Sequence, residues 1–103
     1  MRIAFICSKY RNNPTFNTRQ AIKFCLRATK KNYIPICPHL YFTQFLADDN
    51  PEQRKLGMKM GKQLMRICDE MWVFEKYGVS EGMEQEVEYW KRKYPKKEIK
   101  YFK

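Results

Sequence analysis

Short unbroken apolar runs alternate along this chain with segments in which apolar residues recur every three or four positions. Ile3 to Cys7 is apolar throughout, as a strand covered on both faces requires. A helix fits Thr18–Lys31, with Ala21, Ile22, Cys25, Leu26 and Ala28 as the inner stripe and Arg19, Lys23, Arg27 and Lys30 opposite. Tyr33 to Cys37 reads as a second strand, and Pro35, which has no N–H to donate, puts it at a sheet edge. Residues 38–49 read as a loop rich in aromatics. Asn50 as cap, Pro51 in the first turn and Gln53 closing a capping box open a second helix, with Leu56, Met60, Leu64 and Ile67 as its inner stripe. Met71 to Phe74 is the third strand. Ser80 caps a helix that runs to about Lys93, and Ile99–Phe102 is a fourth strand at the other edge. Helices alternating with apolar strands predict an α/β fold: a small parallel sheet of about four strands in the order 2-1-3-4, helices on both faces.

With 103 residues the chain is expected to be one domain, residues 1–103. Hydrophobic content of 44% and aromatic content of 16% exclude a disordered chain. No apolar run reaches the roughly 18–20 residues of a membrane span, and the opening run is shorter than the roughly 7–15 of a signal peptide, so a soluble cytoplasmic protein is expected. Cys7, Cys25, Cys37 and Cys68 form no CxxC pair and lie in apolar segments, which predicts reduced core thiols, with no metal site and no cofactor.

The net charge of +10 is unevenly placed. Residues 1–47 carry eight Lys/Arg and no acid, residues 48–90 are net acidic, and residues 91–103 carry seven bases against Glu98. Anionic partners fit this imbalance: nucleotides, nucleic acid or an acidic membrane surface, although no membrane partner is expected. A solvated helix face that aids solubility fits it equally.

A parallel sheet gathers its chemistry beyond the carboxyl ends of its strands. That rule selects Ser8, Tyr10 and Arg11 after the first strand, His39, Asp48 and Asp49 after the second, and Ser80 and Gly82 after the third. On the helix that follows, Met83, Val87 and Trp90 form the apolar face, and Glu86 falls within it. An inward carboxylate must be hydrogen-bonded, paired or working. A Glu on the rim of the stripe that reaches back to water is the plainer alternative.

These segments carry a resemblance. IAFICSKYR at 3–11, IPICPHLYFTQFL at 34–46, CDEMWVF at 68–74 and SEGMEQE at 80–86 resemble the nucleoside 2-deoxyribosyltransferase-like superfamily, which includes deoxynucleotide N-glycosidases and small uncharacterised bacterial and phage proteins. The resemblance implies a flavodoxin-like (Rossmann-like) sheet, a homodimer, and cleavage of the N-glycosidic bond by a Glu nucleophile. Its pattern, a small polar residue, a Gly two later and a Glu six later, is met by Ser80, Gly82 and Glu86. It implies that Ser8 and Arg11 hold the sugar or a 5′-phosphate, that Tyr10 packs on the base or sugar, and that Met83 stands among the substrate-binding residues. Two departures go with it. Gly61 stands where those enzymes have an Asp that helps protonate the leaving base, and Arg11, Asn12 and Asn13 replace a glycine-rich turn. His39, which ordinarily titrates near neutrality, is then the expected acid, with Asp48 and Asp49 as alternatives.

The reading that follows is an N-glycosidase or deoxyribosyltransferase-like enzyme with Glu86 and His39 as catalytic residues. A non-catalytic binder of a nucleotide or nucleotide-derived signal is the alternative, and a basic nucleic-acid-binding module a third. A homodimer is expected through the second helix, where Met58, Met60, Met65, Gly57 and Gly61 gather.

Overall fold

A computed structural model describes all residues, Met1–Lys103. Four strands, β1 (Arg2–Cys7), β2 (Tyr33–Ile36), β3 (Glu70–Phe74) and β4 (Glu98–Phe102), form one all-parallel sheet in the order β2-β1-β3-β4. The helices are α1 (Pro14–Lys30), the short α2 (Pro38–Phe42), α3 (Pro51–Met65) and α4 (Glu81–Lys93). This is a small flavodoxin-like α/β fold. Alternation along β1 and β3 divides the core in two. Ala4, Ile6, Trp72 and Phe74 pack with Ala21 and Ala28 of α1. Phe5, Cys7, Met71 and Val73 pack with Met65, Met83 and Trp90 on the opposite face. No helix is long and apolar enough to cross a membrane.

The helix faces differ from those the sequence predicts. On α1 the expected Ala21 and Ala28 are buried, joined by Asn17, whereas Ile22 and Leu26 are each 54% exposed. On α3 Gly61 and Met65 are buried, whereas Leu56, and Ile67 just beyond the helix, are about half exposed. Small residues win because they let a helix lie close on the sheet or on its neighbour. A Cβ at Gly61 would already touch Pro38 at 3.6 Å, and one at Gly57 would touch Leu46 at 3.7 Å. Gly57, Gly61 and Met65 therefore pack within the chain, which removes them from the outward surface expected of a dimer helix.

Local signals explain the boundaries. Helix α1 starts four residues before the expected Thr18 because Asn13 caps it and Pro14 suits its first turn. Pro38 likewise starts α2 inside the expected loop. Asn50 caps α3, its Oδ1 accepting from the N–H groups of Glu52 and Gln53. Gln53 does not close a capping box; its Oε1 accepts from the Ala47 N–H at 2.6 Å and ties down the preceding loop.

Asp69 and Glu70 hold the amino end of the sheet, away from the site. Asp69 Oδ2 accepts from the Ile3 N–H at 2.7 Å. Buried Glu70 accepts from Tyr33 Oη and Trp72 Nε1, each at 2.8 Å, and pairs with Lys100 at 3.1 Å and Arg2 at 3.2 Å. Burial pushes its carboxyl up, but hydrogen bonds from Trp72, Tyr33 and Lys100 outweigh that and hold it below the ordinary carboxylate range.

Candidate active site

The connection leaving β1 runs to β2 on one side of the sheet and the one leaving β3 runs to β4 on the other, which opens a crevice at the carboxyl ends of β1 and β3. A cleft of about 380 Å³ lies there. Ser8, Tyr10, Arg11 and His39 line one part of it, and Ser80, Gly82, Met83 and Glu86 another. The residues selected from three separate loops thus meet at one place. Asp48 joins them, whereas exposed Asp49 does not.

The loop after β1 is fixed by a buried amide that the periodicity of α1 does not reveal. Asn17 Nδ2 donates to the carbonyls of Tyr10 and Arg11 at 3.0 and 3.1 Å. Asn12 turns the loop at φ 77°, a left-handed conformation that Asn tolerates better than most residues. It does what a glycine would do in that turn. On the other wall Ser80 caps α4, its Oγ accepting from the Met83 N–H at 3.2 Å, while the Ser80 N–H donates to the Met83 sulfur at 3.5 Å. Met83 is 1% exposed, so it anchors this turn more than it meets a ligand.

Glu86 lies one and a half turns into α4 and is half-buried, part of its surface opening on the cleft. Burial of its carboxyl raises the pKa to about 7, against the opposing effects of the nearby Cys7 thiol and the charge of Lys62. Cys7 is itself pushed well up, by burial and by the neighbouring Glu86 charge.

His39 stands differently from its expected role. Its Nε2 is 2.9 Å from Ser8 Oγ and 3.6 Å from Cys37 Sγ, its Nδ1 is buried without a partner, and its ring lies 5.3 Å from that of Tyr10. Burial lowers its pKa to about 4, so near neutrality it is an uncharged imidazole rather than an imidazolium acid. Tyr10 packs on this ring.

A second, narrower pocket of about 80 Å³ shares Glu86, His39, Asp48, Arg54 and Met58 with the cleft and extends it between α2 and α3. Its further walls include Phe42, Leu46, Ala47 and Gly57. Glu86 therefore stands where a polar cleft, lined by charges of both signs, meets an apolar slot. Gly61, the position that the resemblance gives to an assisting Asp, lines neither pocket; it packs on Pro38. Arg54, by contrast, lines both pockets, and sequence reasoning missed it. Its only signal was a place one turn into α3, a helix whose basic residues look like an ordinary wet face.

A family model described as Domain of unknown function (DUF7768) matches residues 2–102. The chain belongs to this family. No curated protein and no solved structure matches it. The cleft of this DUF7768 domain accordingly has to be interpreted from its own residues.

Proposed function

We propose that this DUF7768 domain cleaves the N-glycosidic bond of a nucleoside or nucleotide, with Glu86 as the nucleophile. The observation that carries this reading is the position of Glu86 at the junction of the polar cleft, with its arginines, and the apolar slot. A nucleoside has the same polarity: a hydroxylated sugar, with or without phosphate, joined to a flat, largely apolar base. With the base in the slot and the sugar in the cleft, the anomeric carbon comes to the carboxylate. Breaking the bond builds oxocarbenium character at that carbon, which a carboxylate stabilises or captures as a glycosyl ester. Water or a second base then releases the sugar, giving hydrolysis or transfer. The departing base takes its proton from cleft water, because His39 carries no charge near neutrality.

The experiment is incubation with nucleosides and their 5′-monophosphates followed by chromatography for free base. Release by the native chain that disappears in Glu86→Gln is the expected result. Release that persists in Glu86→Gln refutes the assignment. A second reading, a non-catalytic nucleotide binder, is favoured by Gly61 in place of an acid; it predicts ligand recovered intact. For either reading we propose a cytoplasmic homodimer, formed through the outward face of α3 and the turn after it, with exposed Leu56 and Ile67, rather than through the glycines of α3.

A further inference from the structure

Three charged groups at the cleft have no part in the glycosidic step: Arg11 from the loop after β1, Arg54 from α3, and Asp48 from the loop between α2 and α3. One Asp48 carboxylate faces both guanidiniums, Oδ2 at 3.1 Å from Arg11 Nε and Oδ1 at 3.8 Å from Arg54 Nε. These are ion pairs by distance alone. Neither guanidinium has a well-directed hydrogen bond to another protein group, so the planar N–H forks of both remain available. Around them the cleft also presents Lys9, whose Nζ donates to the Tyr77 carbonyl at 3.3 Å, and the acids Glu81 and Glu86. Opposite Arg54 the first turn of α4 carries Gly82, where a Cβ would stand 3.7 Å from Arg54 Nη2 and 3.9 Å from Ser80 Oγ. Glycine thus keeps a side chain out of the space beside this guanidinium.

We infer that Arg11 and Arg54 together form a site for a phosphate monoester, and that Asp48 competes with the phosphate for the same two guanidiniums. A carboxylate brings one charge and two oxygens, whereas a phosphate monoester brings nearly two charges and three strong acceptors. Two guanidiniums from separate elements, gathered beside one carboxylate, suit the latter, each able to grip it bidentately. Asp48 then has a definite role: it balances the arginines and sets the affinity, so that a ligand must offer more than a carboxylate does. The inference deepens the nucleotide reading of the cleft by making a phosphorylated ligand its preferred occupant and by assigning Arg54 and Asp48 as specificity-determining residues.

Binding, rather than turnover, tests it. Calorimetric titrations of Glu86→Gln protein would use thymidine, thymidine 5′-monophosphate and inorganic phosphate as probes. The monophosphate should bind about 10- to 100-fold tighter than thymidine, the range of a charge-assisted hydrogen bond. Arg54→Ala should abolish that gain, and Arg54→Lys, which keeps the charge and loses the fork, should keep only part of it. Asp48→Asn should tighten the monophosphate and inorganic phosphate about tenfold and leave thymidine unchanged. Inorganic phosphate binding as tightly as the monophosphate would assign the site to free phosphate; a further gain with the monophosphate assigns it to the nucleotide. Monophosphate affinity that is unchanged in Arg54→Lys, or unchanged or weakened in Asp48→Asn, overturns the inference. A phosphate preference in a chain that releases no base would leave this site standing and remove the glycosidase reading, and base release without phosphate preference would do the reverse.

Discussion

Replacing Glu86 by Gln should stabilise the fold at pH 8 and do almost nothing to stability near pH 4. The reason is a proton that the folded chain keeps and the unfolded chain has lost. Burial raises the folded pKa from 4.5 to about 7. Between those values the native state binds more protons at this site than the unfolded state, so stability falls as pH rises through the window and levels off above it. The interval converts to a ceiling of about 3 kcal/mol, and water in the cleft, which screens the charge, brings the effect below that ceiling. Gln has nearly the same shape and no charge, so it escapes this loss. For a domain of this length the melting temperature moves by about 4–8 °C per kcal/mol. Thermal melts of both proteins from pH 4 to 8.5, followed by circular dichroism, should therefore separate on the order of 10 °C at the alkaline end. Other titrating groups are common to both curves and cancel in the difference. A difference that stays flat to within about a degree across this range would show that the carboxylate is not desolvated, and would remove the physical basis for its reactivity.

The same titration governs catalysis: ionised Glu86 rises from about a tenth at pH 6 to about nine-tenths at pH 8, so base release should climb nearly tenfold between them, and a rate independent of pH there would contradict a Glu86 nucleophile. Arg11→Ala should weaken 5′-phosphorylated ligands by about 1.5–3 kcal/mol and spare nucleosides, as titration calorimetry would show; equal losses for both would make Arg11 a loop support only. Glu70→Ala should cost about 1–3 kcal/mol in chemical denaturation, because it leaves the buried Trp72 N–H without its acceptor while Lys100 and Arg2 stay open to water, and a loss under about 0.5 kcal/mol would contradict that network. Light scattering at micromolar concentration should give a dimer mass, and Leu56→Glu should convert it to a monomer; a monomeric native chain would end the proposal.

Sequence patterning reached the sheet order and the meeting of three loops because both follow from local rules. Apolar runs must be covered on both faces, and a parallel sheet brings its carboxyl-end loops together. Glu86 was legible because it breaks an apolar stripe. The helix faces were less so. Size suggested Ile22, Leu26, Leu56 and Ile67 for the core, but close approach of α1 to the sheet and of α3 to α2 rewards the expected Ala21 and Ala28 and the unforeseen Gly61, whose value lies in the atoms they lack. Asn17 and Arg54 escaped for a related reason. A buried amide that feeds two loop carbonyls, and a guanidinium that faces a carboxylate from another loop, are explained only by residues distant in space, and no period along their own helix marks them.

The two ends of the sheet are poor surfaces for adding another strand. Strand β2 is four residues long and has Pro35 in its middle, whereas β4 alternates Glu98, Ile99 and Lys100 and is followed by Lys103. Backbone hydrogen bonding between copies is thereby discouraged, and this keeps the edges from seeding aggregates. Any association of this chain must then rest on side-chain burial from its helices. Such contacts are driven by the release of water, so copies of the chain should hold together less well in the cold than at room temperature, and their association should carry a negative heat-capacity change.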